Sequence, residues 1–190
     1  MTDLFDLFDL FERLTSLMRI WHREHPLLAE LQPVQLSALE YLARCNHYSD
    51  TPLAVAEYLG LTKGTVSQSL KVLEAKGLIE KRQDQQDKRS VHLELTQAAR
   101  ELLAAVTPPE FLANAVAEMG QDAVDLERLL AGLLRTVQRQ ADVPGFGLCK
   151  TCRFHQQRDG EPFCGLTQEA LARPSIELIC REHQPCEEAA

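Results

Sequence analysis

The cysteines near the carboxyl end of the chain are the residues whose type and spacing most clearly suggest chemistry. Cys45 stands alone, whereas the other five lie close together and have two histidines nearby; the set is Cys149, Cys152, Cys164, Cys180 and Cys186, with His155 and His183. The chain starts with Met1-Thr2-Asp3, which does not resemble a secretion signal. Clustered cysteines in such a chain favour a metal site over disulfides.

Two ligand sets are compatible with this spacing. Cys-x-x-Cys presents two thiolates from one tight turn, and two further ligands complete a tetrahedral site. We expect the set Cys149, Cys152, Cys164 and Cys180, and the alternative is Cys149, Cys152, Cys180 and His183, with Cys186 and His155 as further candidates. We expect zinc, and an iron–sulfur cluster is the alternative because four thiolates suit either. The apolar residues of the tail form a small core, which would be marginal without a metal.

Length and composition bound the rest of the chain. It has 190 residues, of which 45% are hydrophobic and 25% are charged, which suits one globular domain with an appendage. Its apolar stretches are shorter than the roughly 18 residues that a membrane helix needs. We therefore expect a cytoplasmic protein with no membrane partner. The net charge of −8 by itself argues against nucleic acid as a partner.

The charge is distributed unevenly along the chain. Residues 61–92 contain seven Lys and Arg against four Asp and Glu, a net charge of +3, whereas the segments before and after are acidic. A local basic segment is what matters for binding to phosphates. The whole-chain charge therefore does not exclude DNA.

The basic segment has the pattern of a helix-turn-helix followed by a hairpin. Thr51-Pro52 is a typical helix start, and Gly60-Leu61-Thr62 predicts a tight turn. A second helix is predicted from Lys63 to Lys76, because Val66, Leu70 and Leu73 share one face. Residues 78–82 and 91–95 alternate as two strands around a polar turn.

The opposite face of the second helix suits a DNA groove. Small and hydrogen-bonding residues there permit close approach and contacts to bases and phosphates. The hairpin carries cations near its tip, one of which could enter the minor groove. The candidate DNA contacts are Lys63, Thr65, Ser67, Gln68, Lys71, Arg82, Asp87, Lys88 and Arg89, with Lys81 also near the tip.

At these residues the chain resembles the multiple-antibiotic-resistance regulator (MarR) family of winged-helix transcription factors. The resemblance rests on residues 53–62, on Thr65-Val66-Ser67 with residues 70–79, and on Asp87-Lys88-Arg89. It implies a homodimer that binds a pseudopalindromic double-stranded DNA operator, most simply as a repressor, and that responds to a small-molecule effector. Asp87 would hold the wing residue Arg89 by an ion pair. Ala99 stands where the family commonly has glycine.

The remaining helices suggest how the domain is built. Residues 4–20 are apolar over a wide arc, and a long helical pattern runs from Glu110 toward Ala141 with Gly120 as a bend. We expect these two helices to form the dimer contact. The fold class is therefore mainly α, with a winged helix-turn-helix core at about 51–96 inside a domain at 1–144 and a cysteine-rich extension at 145–190. No catalytic motif occurs, so we expect no enzyme; the alternative function is an iron–sulfur or thiol-based redox sensor or electron-transfer protein.

Overall fold

The structure is a computed structural model that describes residues 3–84, 87–88 and 90–186. Helix α1 spans Leu4–Glu24, and its first turn is capped by the Asp3 carboxylate, which accepts a hydrogen bond from the Phe5 N–H at 2.9 Å. It ends before Pro26, as the sequence predicts. Helix α2 spans Pro33–Arg44 and begins with a proline in its first turn, where the missing N–H costs no helical hydrogen bond.

A winged helix-turn-helix follows, as predicted. Helix α3 spans Pro52–Leu59, α4 spans Lys63–Ala75, and α5 spans Gln97–Val106. Strands β1 (Ile79–Gln83) and β2 (Val91–Leu95) form the antiparallel wing, with Ile79 opposite Leu95 and Gln83 opposite Val91. The side chains of Thr51, Thr62 and Thr96 cap α3, α4 and α5 in turn by accepting a hydrogen bond from a backbone N–H of the first turn.

The core lies where these helices meet the base of the wing. Helices α2, α3, α4 and α5 each bury one apolar face there, and β1 and β2 close the side. The most completely buried large side chains are Leu28, Leu39, Tyr41, Val55, Val66, Leu70, Leu73 and Ile79. Ala99, at the position where glycine is common in the resembling family, is fully buried just after the Thr96 cap. Its methyl group is thus part of this core.

Two helices with exposed apolar faces complete the first 140 residues. Helix α6 spans Glu110–Met119 and α7 spans Gln121–Gln140. The predicted bend at Gly120 is a full interruption, because this glycine has a φ of 56° and a ψ of −121°. Neither helix has a buried residue. Among the residues described, no helix combines the length and the apolar character needed to span a bilayer.

The cysteine-rich tail is built from short strands. Strand β3 (Gly147–Leu148) pairs with β7 (Ile179–Cys180), and β4 (His155–Arg158), β5 (Glu161–Cys164) and β6 (Glu169–Ala170) form a second antiparallel sheet. The tail packs directly against the winged helix, since Ile179 belongs to the main core and Phe146 and Leu148 contact it.

Candidate functional site

Helix α4 has one side buried in the core and the other side exposed to solvent. Gly60, in the left-handed region with a φ of 64°, makes the tight turn that separates α4 from α3. Val66, Leu70 and Leu73 are then buried against the core. The predicted contact residues lie on the other side and are all exposed: Lys63, Thr65, Ser67, Gln68 and Lys71. The structure thus brings these five together on one outward face.

This outward face is free of negative charge over most of its length. No carboxylate occurs between Lys63 and Leu73, and the next one, Glu74, forms an ion pair with Lys81 of β1. Within the described part of the chain, Lys63 and Lys71 form no ion pair. Unpaired cations on a helix with no neighbouring carboxylate are suited to contact phosphate oxygens.

The cations of the wing are held differently. Arg82 of β1 is exposed but forms an ion pair with Glu94 of β2, with 3.1 Å between Nη2 and Oε2. Asp87 accepts a hydrogen bond from the Ser90 hydroxyl at 3.1 Å, and Lys88 is exposed at the tip. Arg89 lies outside the described residues, and so does its predicted ion pair with Asp87.

A histidine network where the wing strands meet their turn was not predicted from the sequence. His92 Nδ1 lies 2.5 Å from Asp50 Oδ1, and its Nε2 lies 3.1 Å from Asp84 Oδ2. The hydrogen bond to Asp50 raises the pKa of His92, and the charges of Asp50 and Asp84 add to this while burial opposes it. The network joins the start of the helix-turn-helix to the wing. Residues 42 positions apart carry no common sequence signal.

A groove opens between α2, α3 and α5. Its volume is about 520 Å³, and Glu40 and Arg44 of α2 lie beside Tyr41 and Tyr58 along its wall. The two tyrosine rings are stacked with centroids 4.3 Å apart, and Phe146 of the tail packs edge-on against both. The groove therefore combines an aromatic wall with charged groups of both signs, which are the usual components of a site for a small organic molecule.

The four cysteines of the first predicted ligand set line one cavity between the tail and the loop before α3. Cys149 and Cys152 flank a single 3₁₀ turn, Cys164 ends β5, and Cys180 ends β7. His155, one of the alternates, lines the same cavity. As placed, no group of three or more His, Cys, Asp or Glu side chains among the described residues could hold a metal ion. All six cysteines are free thiols.

The other two alternates lie apart from this cavity. The His183 ring makes two hydrogen-bonding contacts, with the Gly145 carbonyl oxygen at 3.2 Å and the Thr151 hydroxyl at 2.9 Å. A methyl group on Gly147 would come within 2.8 Å of this ring, so the close approach requires glycine. Cys186 is exposed, and its sulfur faces the Thr151 carbonyl oxygen at 3.9 Å.

Two thiols of the cavity, Cys149 and Cys180, are in an environment that favours protonation. Burial, with smaller contributions from the neighbouring thiols of Cys180, Cys152 and Cys164, raises the pKa of Cys149 to about 11, and burial also raises the pKa of Cys180. Reactive cysteines of oxidoreductases have lowered pKa values instead. This pattern does not support use of the Cys149-x-x-Cys152 pair as a thiol redox catalyst.

Polar contacts fasten the tail to the winged helix beside the cavity. The Arg181 guanidinium donates two hydrogen bonds to the Glu57 carboxylate of α3, and its backbone N–H donates to the Ser49 hydroxyl at 2.8 Å. The Asn46 N–H donates to the Ile179 carbonyl oxygen at 2.9 Å. The sequence gives no local signal for these contacts, because Arg181 and Glu57 are 124 positions apart.

Comparison with known proteins agrees with this architecture. The sequence profile described as "MarR family" matches residues 29–90. The organic hydroperoxide resistance transcriptional regulator of Bacillus subtilis (strain 168) is 30% identical over 146 residues, which are 74% of this chain and 99% of that regulator.

Two solved structures are also similar. FabT from Streptococcus pneumoniae, in complex with DNA, is 25% identical with a TM-score of 0.55, over 72% of this chain and 93% of that one. MepR, a transcription regulator of the Staphylococcus aureus efflux pump MepA, is 25% identical with a TM-score of 0.50, over 69% and 96%. The chain has a winged helix-turn-helix, and it matches the Bacillus subtilis regulator over nearly the whole length of that regulator. The chain therefore belongs to the MarR family of transcriptional regulators.

Proposed function

We propose that this chain regulates transcription by binding a double-stranded DNA operator, with α4 in the major groove and the wing toward the minor groove. The observation that carries the proposal is the outward face of α4, where Thr65, Ser67, Gln68 and Lys71 are exposed on a helix that has no carboxylate before Glu74. The solved complex of FabT with DNA supports the same use of this fold. In the simplest mode of action, occupancy of the operator represses transcription.

The active form in this proposal is a homodimer joined through α1, α6 and α7. These helices leave many large apolar side chains exposed in a single chain, including Leu4, Phe5, Phe8, Leu14, Leu17, Phe111, Leu129, Leu130, Leu134 and Val137. Exposed apolar side chains that form a contiguous patch mark an interaction site. A second copy of the chain supplies the matching apolar face, and a two-fold dimer presents two copies of α4.

The symmetry of the dimer determines the form of the operator. Two recognition helices related by a two-fold axis read inverted half-sites, whose centres lie about 10 base pairs apart or a multiple of that. Amide side chains such as that of Gln68 pair with the adenine edge in the major groove. We therefore expect a pseudopalindrome with at least one A·T pair per half-site under Gln68.

The groove between α2, α3 and α5 is the proposed site of a small-molecule effector. It borders α3, so a molecule bound against Tyr41 and Tyr58 would alter the position of the helix-turn-helix. Glu40 and Arg44 would select for a polar or charged group on an otherwise aromatic or apolar molecule.

Selection from a library of random duplexes tests the central proposal. The purified full-length chain is mixed with the library, bound DNA is recovered and sequenced, and enriched motifs are compared with a mock selection without protein. We expect one enriched motif made of two inverted half-sites. Recovery of DNA with no enriched motif would reject sequence-specific binding.

A further inference from the structure

We propose that Cys149, Cys152, Cys164 and Cys180 hold an iron–sulfur cluster, and that this cluster fixes the segment between α2 and α3 to the tail. The inference concerns the tail and its attachment, and it does not depend on the DNA proposal. It rests on the size of the cavity that the thiols line and on the buried His155 Nε2, which has no hydrogen-bond partner among the described residues. It also rests on the contacts that join the neighbours of Cys180 to the winged helix.

The four thiols come from three separate segments of the tail. Cys149 and Cys152 come from one 3₁₀ turn, Cys164 from the end of β5 and Cys180 from the end of β7. Cys149 and Cys152 are buried, and the other two are half-buried. Four thiols without disulfides around one enclosed space form a soft ligand set, which selects zinc or iron–sulfur clusters.

The size of the cavity favours one of these two occupants. The cavity, which the four thiols line together with eight other residues, has a volume of about 50 Å³. A tetrahedral zinc site places each sulfur about 2.3 Å from the ion, so the sulfurs would be about 3.8 Å apart, in mutual contact, with no room between them. The observed volume is several times the roughly 10–15 Å³ that one water molecule requires. A space of this size suits a core of several iron and sulfide atoms.

The surroundings of the cavity also suit a cluster. Phe154, Leu166 and Leu171 line it with apolar surface, which keeps water from the metal. His155 lines it too, and its buried Nε2 has no hydrogen-bond partner among the described residues. An unsatisfied buried nitrogen is costly, and a cluster sulfur would accept a hydrogen bond from it. His155 would thus be a positioning residue and not a ligand.

A hydrogen bond to one of the sulfurs is already in place. The Gln184 backbone N–H donates to Cys152 Sγ at 3.5 Å. Donors of this kind orient thiolate ligands and stabilise their charge in metal sites.

Cys180 links the cavity to the winged helix. Its neighbour Ile179 accepts a hydrogen bond from the Asn46 N–H, and its neighbour Arg181 contacts Ser49 and Glu57. Asn46 and Tyr48, from the loop before α3, themselves line the cavity. A cluster that fixes Cys180 therefore restricts the movement of residues 46–57, which include most of α3.

Metal analysis of the full-length chain, purified without oxygen, tests the proposal. Iron, acid-labile sulfide and zinc are measured per chain and a visible absorbance spectrum is recorded; apo protein is then reconstituted with ferrous iron and sulfide. We expect iron and sulfide in equal amounts, with charge-transfer absorbance that bleaches on reduction. One zinc per chain without sulfide would overturn the assignment, and so would failure of both purified and reconstituted protein to hold iron.

Variants identify the ligands. Cys164→Ser and Cys180→Ser should each lose most of the bound iron, whereas Cys186→Ser and Cys45→Ser, which change cysteines outside the cavity lining, should retain it. His155→Gln should retain iron but change the reduction potential of the cluster, because it alters a hydrogen bond and not a ligand. Iron loss in Cys186→Ser equal to that in Cys164→Ser would reject the proposed ligand set.

Amide hydrogen exchange of the wild-type chain tests the attachment. Residues 46–57 should exchange more slowly in the cluster-loaded protein than in the apo protein, whereas α7 should exchange equally in both. If residues 46–57 exchanged at equal rates in the cluster-loaded and apo proteins, the proposal that the cluster fixes this segment would be contradicted. None of these measurements uses DNA, so their outcome is independent of the selection experiment.

Discussion

In the proposed mode of DNA binding, single side chains of α4 would have two different roles. The Gln68 amide has a donor and an acceptor that match a base edge, whereas the Lys71 ammonium is a point charge suited to phosphate. Gln68 would give sequence preference, and Lys71 would give affinity that depends on salt. Both residues are exposed on the same face. The two roles can therefore be separated by substitution.

Lys71→Ala should weaken binding to all duplexes by a similar factor and reduce the salt dependence of the affinity by about one counterion per half-site. Lys76→Ala is the matched control, because it removes the same charge from a lysine that forms an ion pair with Glu30 at 3.0 Å, beyond the end of α4. Fluorescence anisotropy at several salt concentrations measures both. Equal effects of the two substitutions would assign the affinity to overall charge and not to the α4 face.

His92 should make the stability of the winged helix depend on pH. Its pKa is raised, mainly by the hydrogen bond to Asp50, and burial raises the pKa of Asp50 as well. The folded state therefore binds protons more tightly than the unfolded state. The contribution of His92 to stability is fully present below its ordinary pKa of about 6.5 and is lost as pH rises through the raised value.

The free energy of unfolding, measured by urea titration between pH 5.5 and 8.5 (a window from about one unit below to about two units above the ordinary histidine pKa), checks this prediction. Wild type should lose stability relative to His92→Gln as pH rises, because the variant lacks the titrating ring. A stability difference that stays constant, or that grows with pH, would contradict the role of the His92 network.

At the scale of elements, α1 and α7 are the parts of the fold that a single chain leaves incomplete. Most of their apolar residues face solvent, and Phe5 and Phe8 of α1 are 82% and 61% exposed. The helices themselves could be predicted from periodicity and from Pro26, which follows α1. The split between α6 and α7 was predicted only as a bend, because a pattern of apolar positions does not fix the backbone angles of Gly120.

Phe8→Glu should weaken the proposed dimer, because it would bury an unpaired charge in an apolar contact. Arg13→Glu introduces the same group at an exposed position on the polar side of α1, where Arg13 pairs with Asp9, and it should leave association unchanged. Sedimentation equilibrium should give twice the chain mass of 21.4 kDa for wild type and for Arg13→Glu. A monomeric wild type, or an undisturbed dimer of Phe8→Glu, would contradict this interface.

At the scale of the whole molecule, the sequence predicted well what depends on neighbouring residues. Helix caps, the Gly60 turn and the buried face of α4 follow from local chemistry, and the winged helix follows from their order. The attachment of the tail could not be predicted, because its contacts join residues that are far apart in the sequence. Arg181 donates hydrogen bonds to Glu57, 124 positions away, and the Phe146 ring packs edge-on against Tyr41. Four cysteines were predicted to share one site, yet only the structure places Asn46 and Tyr48 beside them.

The distribution of charge over the molecule also bears on the binding of DNA. The +3 segment at 61–92 carries the outward face of α4 and the wing, while the chain as a whole is at −8. Acidic surroundings reduce nonspecific attraction to DNA, which is an electrostatic effect. Binding then depends more strongly on correct contacts of α4 with bases.

The specificity ratio tests the account most directly. It is the affinity for the selected duplex divided by the affinity for the same duplex with both half-sites scrambled, at one fixed salt concentration. We expect a ratio of about 10³ or more for the wild-type chain, and a ratio lowered by roughly 5- to 150-fold per half-site for Gln68→Ala, as for loss of one base contact in each half-site. A wild-type ratio near one, or an unchanged ratio in Gln68→Ala, would contradict sequence recognition by α4.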